Sequence, residues 1–299
     1  KYSVRGTVRN HTDQETISQL KKAFGDKYSE LEVVSADLND EKSLYEAAKN
    51  CTYVFHVASP FPLAEPKDEN EVIVPAVNGA TFMMNAALAA GVKRLIFTSS
   101  CATINNYDGT PEVDETSWPT KFESFGAYYK SKNFAEKAVW EIHEKNKGKI
   151  EVISINPSFI LGPPLNTKGF SSGDVLKGML LGGFPENQYI YANIVDVRDV
   201  AIAHIKALEA KDGSRFGIAG EIKKLSEVAE MIKEDWGKHG YNVTTKESSV
   251  LTPWSVKQSV NNGKSKKELG IIYRPMKETL NDMIEAMISS GVIEDLRKK

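Results

Sequence analysis

The chain of 299 residues has little of what marks the special classes of protein. Its two cysteines, Cys51 and Cys101, are too few for the disulfide framework of a small secreted domain. No run of about 18 apolar residues occurs, so the sequence predicts no membrane-spanning helix. The formal net charge of −2 argues against nucleic acid or an anionic membrane as the main partner. The five histidines show no metal-ligand spacing, which predicts that no metal is bound.

Glycine is also scarce at the start of the chain, where only Gly6 and Gly25 occur before Gly79. Beyond that shortage, strand-like and helix-like patterns alternate, which is typical of βαβ units and predicts an α/β fold with a parallel sheet. The run 53–58 is apolar apart from His56, as in a strand covered on both faces. Residues 162–187 are rich in glycine and proline and are expected to be irregular. Strands are predicted at 2–8, 31–36, 53–58, 94–98, 150–155 and 216–219, and a strand–helix unit is predicted over 194–208. Helices are predicted from the polar residues 10–13 to about residue 24 and at 40–50, 69–90, 127–145, 224–236 and 276–290.

The strongest local signal is Tyr128 and Lys132, which are four residues apart on the helix predicted over 127–145. This spacing places both side chains on one face, one turn apart. A nearby ammonium favours the phenolate and lowers the pKa of a tyrosine toward working pH. Such a tyrosine suits the general acid that protonates a carbonyl oxygen while hydride reaches the carbon. Ser100 follows the strand predicted over 94–98 and can hydrogen-bond the same oxygen, because ligands of parallel sheets lie at the carboxyl ends of the strands.

These residues are part of a series of matches in the same order along nearly the whole chain. The sequence resembles the extended short-chain dehydrogenase/reductase family, in the branch of the dihydroflavonol reductases, cinnamoyl-CoA reductases and aldehyde or methylglyoxal reductases. The resemblance implies a Rossmann-like, doubly wound parallel sheet with a smaller C-terminal substrate-binding lobe. It predicts an NADP-binding domain over 1–160 and 194–219, and a lobe over 161–193 and 220–299. The matching segments are 4–9, 36–38, 55–60, 77–79, 97–100, 128–132, 135–138, 156–157, 161–164, 195–201 and 267–270.

The resemblance also implies a reductase that uses NADP(H), with Ser100, Tyr128 and Lys132 as its catalytic set. The serine orients the carbonyl group, the tyrosine donates the proton, and the lysine also holds the nicotinamide ribose. The further residues implied to line the cofactor site are Arg9, Asp37, Leu38, Val57, Ala58, Ser59, Thr98, Pro157, Ser158 and Phe159. Substrate contacts are predicted at Asn105, Phe170 and Tyr191, with a turn residue as the alternative for Asn105 and core packing as the alternative for the two aromatic residues.

Two features bear on the nucleotide. Arg9 ends the first predicted strand and no acidic residue stands beside it, which favours the 2′-phosphate of NADP over the ribose hydroxyls of NAD. The family opens with a strand, a glycine-rich phosphate loop and a helix, and this chain has no such loop before Arg9. We therefore expect roughly 25–30 further residues of the functional protein, carrying that loop, to precede Lys1.

Three functions stay open on the sequence alone. The first is the NADPH-dependent reduction of an apolar aldehyde or ketone, and a CoA thioester is less favoured because 125–140 looks more like the aldehyde reductases. The second is a nucleotide-sugar epimerase or dehydratase of the same fold, against which 161–193 has no arginine for a diphosphate. The third is a non-catalytic NADP-binding regulatory protein, against which the catalytic set is complete. We expect a cytoplasmic monomer or homodimer that binds a small-molecule carbonyl compound.

Overall fold

The computed structural model of the chain describes residues 2–61, 66–165 and 171–298. The chain divides into two compact units. The first comprises Lys1–Thr98, Phe122–Ser154 and Lys211–Ser214, and the second comprises Ser99–Lys121, Ile155–Ala210 and Arg215–Lys299. The NADP-binding domain and lobe predicted from the sequence stay predictions, because contact units need not coincide with ligand-binding domains.

Strands and helices alternate along most of the described chain. The strands are β1 (Val4–Val8), β2 (Leu31–Ser35), β3 (Tyr53–His56), β4 (Arg94–Thr98), β5 (Glu112–Val113), β6 (Glu151–Pro157), β7 (Phe159–Leu161), β8 (Asn187–Tyr189), β9 (Tyr191–Asp196), β10 (Arg215–Ile218), β11 (Ile222–Lys224), β12 (Glu247–Leu251) and β13 (Ser259–Val260). The helices are α1 (Gln14–Phe24), α2 (Glu41–Ala48), α3 (Asn70–Ala89), α4 (Gly126–Lys145), α5 (Ser171–Leu180), α6 (Val197–Lys206), α7 (Leu225–Trp236), α8 (Gly263–Glu268) and α9 (Met276–Ser289).

Strands of the first unit pair in parallel, as the alternation of strands and helices predicts. Strand β1 pairs with β2, with Gly6 opposite Val33, and β3 pairs with β4, with Val54 opposite Leu95. Among the described residues these two pairs belong to separate sheets. The N–H of Glu151 donates to the carbonyl of Lys93 at 3.0 Å, so the start of β6 lies beside β4. The parallel α/β architecture confirms the predicted fold class.

Strand β3 is less covered than its apolar sequence predicts. Successive residues of a strand point to opposite faces. His56 is buried, whereas Phe55 is 43% exposed and Val57, just beyond the strand, is 59% exposed. The prediction of a strand covered on both faces was therefore wrong, because the described chain covers the face of His56 and leaves the face of Phe55 accessible.

Helix α3 is long and apolar enough, by length and composition, to cross a membrane. Its sequence is no uninterrupted apolar run, because polar residues such as Asn78 interrupt it. The structure packs α3 as a core helix with eight buried residues, among them Met83 and Met84. Gly79 allows the close packing, because a Cβ there would lie 2.9 Å from the Cδ2 atom of Leu38.

The second unit is built on the three-stranded sheet β11-β9-β7, in which β7 runs parallel and β11 antiparallel to β9. Its apolar core includes buried residues of α5, α7 and α9, such as Leu176, Ile232 and Ile284. Helix α5 falls inside the stretch 162–187 that was expected to be irregular, so that expectation was wrong there. The glycine that weakened the helical pattern is needed for packing, since a Cβ on Gly178 would lie 2.3 Å from the ring of Phe184.

Candidate active site

Tyr128 and Lys132 lie together in the first unit, on one face of α4. The Nζ atom of Lys132 is 5.8 Å from the centroid of the Tyr128 ring. The ring of Phe61 meets the Tyr128 ring edge-on, with 5.0 Å between their centroids. Helix α4 begins at Gly126, whose φ of 85° favours glycine, so the chain enters the helix just before the pair. The structure therefore brings the predicted general acid and its cation together.

The lysine of this pair is buried, and that sets its charge. Burial lowers the pKa of Lys132 to about 8, against an opposing effect of the Glu136 carboxylate, which raises it. The ammonium is therefore still the main form at neutral pH. His56 stacks on Phe97 at 5.8 Å, and burial, with the charge of Lys132, lowers its pKa to about 4. The imidazole beside the lysine is thus neutral at neutral pH.

The remaining predicted residues of the first unit follow the carboxyl ends of its strands, where ligands of parallel sheets lie. Arg9 follows β1 and is exposed. Asp37 follows β2, and its Oδ1 atom accepts hydrogen bonds from the N–H of Asn39 at 2.8 Å and from the Asn39 side chain at 3.2 Å. Leu38 is held beneath Gly79 of α3. After β3, Val57 and Ala58 are exposed and Ser59 is half-buried. Thr98, at the end of β4, is also half-buried.

Ser100 lies in the second unit, at the start of a rigidly held turn. Its Oγ atom accepts a hydrogen bond from the N–H of Ala102 at 3.1 Å. Thr103, three residues after Ser100, accepts a hydrogen bond from Asn156 at 2.9 Å and two from the buried Arg215, at 3.0 and 3.1 Å. Asn156 and Arg215 were not predicted as site residues. Asn156 stands in one of the matching segments, whereas the sequence carries no signal for Arg215.

Asn105, a predicted substrate contact, is buried at the start of a tightly held loop of the second unit. Its Nδ2 group donates to the hydroxyl of Tyr107 at 3.0 Å, and its Oδ1 atom has no hydrogen-bond partner in the described parts of the chain. The carboxamide oxygen of the buried Gln258 accepts from the N–H groups of Asn106, at 2.9 Å, and Tyr107, at 3.1 Å. This clamp holds Tyr107 at a φ of 48°, which is uncommon for a residue with a side chain.

Three other predicted residues of the second unit, Ser158, Phe159 and Tyr191, are partly accessible. Ser158 lies between β6 and β7, and its N–H donates to the carbonyl of Ile218 at 3.0 Å. Phe159 follows it in β7 and is half-buried, while Pro157 at the end of β6 is buried. Tyr191 begins β9, with the Nζ atom of Lys224 5.6 Å from its ring centroid. The predicted substrate contact Phe170 lies outside the described residues.

The residues present fit NADP(H), the cofactor that the fold family implies, at two of its parts. The Oγ atom of Ser158 is buried and has no hydrogen-bond partner among the described residues, which is unusual unless a ligand supplies one. The exposed guanidinium of Arg9 suits a phosphate. For the diphosphate, the glycines before Gly79 are Gly6, inside β1, and Gly25, which follows α1 and begins a short 3-10 helix; neither begins an α-helix. How the residues of the two units meet around a cofactor stays a prediction.

Comparison with known proteins identifies relatives over nearly the whole chain. It is 35% identical to cinnamoyl-CoA reductase 1 of Arabidopsis thaliana, over 97% of this chain and 83% of that protein. It is 31% identical to the NADPH-dependent methylglyoxal reductase GRE2 of Saccharomyces cerevisiae, over 94% and 90%. The crystal structure of the yeast methylglyoxal/isovaleraldehyde reductase Gre2 complexed with NADPH superimposes with a TM-score of 0.81 at 28% identity, covering 98% of this chain and 93% of that one.

These relatives confirm the class of enzyme and the cofactor predicted from the sequence, an oxidoreductase of the NADPH-dependent reductase type. Residues 7–221 match the model of a protein family, and this range contains β2, β3 and β4 and the Ser100, Tyr128 and Lys132 positions. The chain therefore belongs to the 3-beta hydroxysteroid dehydrogenase/isomerase family, within the extended short-chain dehydrogenases/reductases that its sequence resembles.

Proposed function

We propose that this protein reduces the carbonyl group of a small or medium-sized apolar aldehyde or ketone, with Tyr128 as the general acid. The observation that carries the proposal is the pair on α4, in which a buried ammonium lies 5.8 Å from the centroid of the tyrosine ring. NADPH, when bound, supplies the hydride. The Tyr128 hydroxyl donates its proton to the carbonyl oxygen, and the nearby Lys132 ammonium stabilises the phenolate that this leaves.

Ser100 has the supporting role in this proposal. A hydroxyl that already accepts a hydrogen bond from a backbone N–H is fixed in position, and its own O–H group can point to a carbonyl oxygen. The hydrogen bonds from Arg215 and Asn156 to Thr103 hold the turn that carries it. The turn needs no rearrangement as negative charge develops on the substrate oxygen, and such preorganisation is what makes a donor effective in catalysis.

For the cofactor, we place Arg9 at the 2′-phosphate and Asp37 and Leu38 beside the adenine. Along the ribose and diphosphate we place the residues at the carboxyl ends of β3 and β4, which are Val57, Ala58, Ser59 and Thr98. Lys132 holds the nicotinamide ribose. Pro157, Ser158 and Phe159 lie beneath the nicotinamide. The Ser158 hydroxyl, which has no partner among the described residues, is available there for a hydrogen bond. These assignments rest on the family resemblance, on the exposure of Arg9 and on the Ser158 hydroxyl, for which the described chain offers no partner.

For the substrate, Asn105 and Tyr191 are the proposed contacts within the described chain. The carboxamide oxygen of Asn105 is buried and unpaired there, so it can accept a hydrogen bond from a hydroxyl or amide of the substrate. The relatives include reductases of methylglyoxal and of cinnamoyl-CoA, and both names describe carbonyl compounds. Cytoplasmic localisation and a monomeric or homodimeric state stay predictions.

The testing experiment follows NADPH oxidation by the full-length protein against a panel of aldehydes, diketones, dihydroflavonols and cinnamoyl-CoA. Tyr128→Phe should lose at least about 100-fold in rate on the best substrate, which is the size of a general-acid contribution. Tyr129→Phe, which removes the neighbouring hydroxyl on the same helix, is the matched control and should keep most of the rate. A Tyr128→Phe variant as fast as the wild type would refute the proposed mechanism.

A further inference from the structure

The face of α4 that carries Tyr128 and Lys132 continues with two more residues at the same spacing. Glu136 lies one turn beyond Lys132, and Trp140 lies one turn beyond Glu136. Residues four apart on a helix are neighbours on its surface, so the four side chains form one row. Glu136 belongs to the matching segment 135–138, for which the sequence suggests no role.

Glu136 is an unusual residue to find inside a protein. It is completely buried, with an exposed fraction of 0%. Removing a carboxylate from water is costly unless hydrogen bonds and an opposite charge compensate it. The indole N–H of Trp140 donates to its Oε1 atom at 3.1 Å and supplies one such hydrogen bond. The ammonium of Lys132, one turn away, supplies the opposite charge.

Lys132 in turn depends on that carboxylate. It is 6% exposed, and burial lowers its pKa to about 8, while the charge of Glu136 raises it. In the described parts of the chain, Tyr128 on its own helix and His56 at the end of β3 are the other titratable groups shown to interact with it. His56 has a pKa lowered to about 4 and is neutral, so it adds no negative charge. Without the carboxylate, the pKa of the lysine would be lower still.

We propose that Glu136, held in place by Trp140, is a positioning residue that keeps Lys132 protonated beside Tyr128. This inference rests on the proposed function, since the charge on Lys132 matters because it stabilises the Tyr128 phenolate. Glu136 itself touches no reacting atom. Its effect reaches the reaction through the lysine, which explains why a protein tolerates a fully buried carboxylate on this helix.

The test is a titration of Lys132 in the protein without cofactor. The 13Cε signal of Lys132 in 13C-lysine-labelled protein, assigned by its absence from Lys132→Met, should titrate with a midpoint near the value of about 8. In Glu136→Gln the midpoint should fall by at least about one pH unit, the usual effect of removing an adjacent opposite charge. Glu136→Asp, which keeps the charge, should restore most of the shift. Glu141→Gln, exposed on the same helix, is the control and should leave the midpoint unchanged.

A folded Glu136→Gln protein with the wild-type midpoint would overturn the proposal. If that variant does not fold, the wild-type protein alone tests the proposal. The 13Cδ signal of Glu136 should then show an ionised carboxylate from pH 6 to 9, and a protonated carboxyl group would overturn the proposal. The pH profile of carbonyl reduction gives a separate readout: its fall at high pH should begin about one unit earlier in Glu136→Gln. The titration needs no activity, so failure of the proposed reaction and failure of this inference are distinguishable.

Discussion

The buried ammonium of Lys132 makes the stability of this protein depend on pH in a specific direction. In the unfolded chain the lysine has an ordinary pKa of 10.5, and in the folded protein burial lowers it to about 8. Between these two values the unfolded chain binds a proton that the folded protein does not. The free energy of unfolding therefore rises with pH across this window, and the cost of burying the charge is fully present below pH 8.

The magnitude follows from the size of the pKa difference. Each pKa unit corresponds to about 1.4 kcal/mol, so lowering the pKa from 10.5 to about 8 corresponds to about 3 kcal/mol. Lys132→Met removes the titrating group without much change in volume. The stability advantage of the variant over the wild type should therefore shrink by about 3 kcal/mol as the pH rises from 7 to 10.5. The absolute difference at pH 7 is smaller than this, because the variant leaves Glu136 without its cation.

Urea unfolding of both proteins at several pH values between 7 and 10.5 measures this difference. Groups that do not meet Lys132 titrate alike in both proteins and cancel in the comparison. The variant should also lose carbonyl reduction, so the residue that costs stability is the one the reaction needs. A stability difference that does not change with pH would refute the reasoning, because it would mean that the folded protein holds Lys132 with an ordinary pKa.

Two further substitutions test the cofactor site and the loop beside Asn105. Arg9→Gln should raise the KM for NADPH at least about tenfold and leave the KM for NADH unchanged, because the guanidinium would pair with the 2′-phosphate; an equal rise for both cofactors would contradict its placement. Gln258→Leu leaves the N–H groups of Asn106 and Tyr107 without their acceptor, and it should lower the free energy of unfolding by about 2–4 kcal/mol in urea. A loss below about 0.5 kcal/mol would show that the loop finds other partners.

The features that the sequence predicted well are set by neighbouring residues. The spacing of four between Tyr128 and Lys132 fixes their relative position as soon as α4 forms, and the structure brings the two together. The alternation of strands and helices likewise comes from local periodicity, and it led to the parallel pairings of the first unit. Both follow from the repeat of a helix or a strand and need no knowledge of tertiary contacts.

The features that could not be predicted depend on residues far apart in the chain. Arg215 donates hydrogen bonds to Thr103, in the turn after Ser100, and lies 112 residues further along the chain. Nothing in the local sequence marks it as a supporting residue. Helix α5 was missed because Gly178 weakens its helical pattern, and the reason for the glycine is the ring of Phe184 packed against it. Such residues meet the demands of packing, which a pattern in one segment does not record.

The central claim is that hydride passes from NADPH to a carbonyl carbon while Tyr128 supplies the proton. The most direct measurement uses NADPH carrying deuterium at C4 of the nicotinamide, on the transferred face, with the best carbonyl substrate, and mass spectrometry of the product. The account predicts one deuterium on the new carbinol carbon, formed at least about 100-fold more slowly by Tyr128→Phe. A product without the label, or one labelled equally fast by the variant, would contradict it.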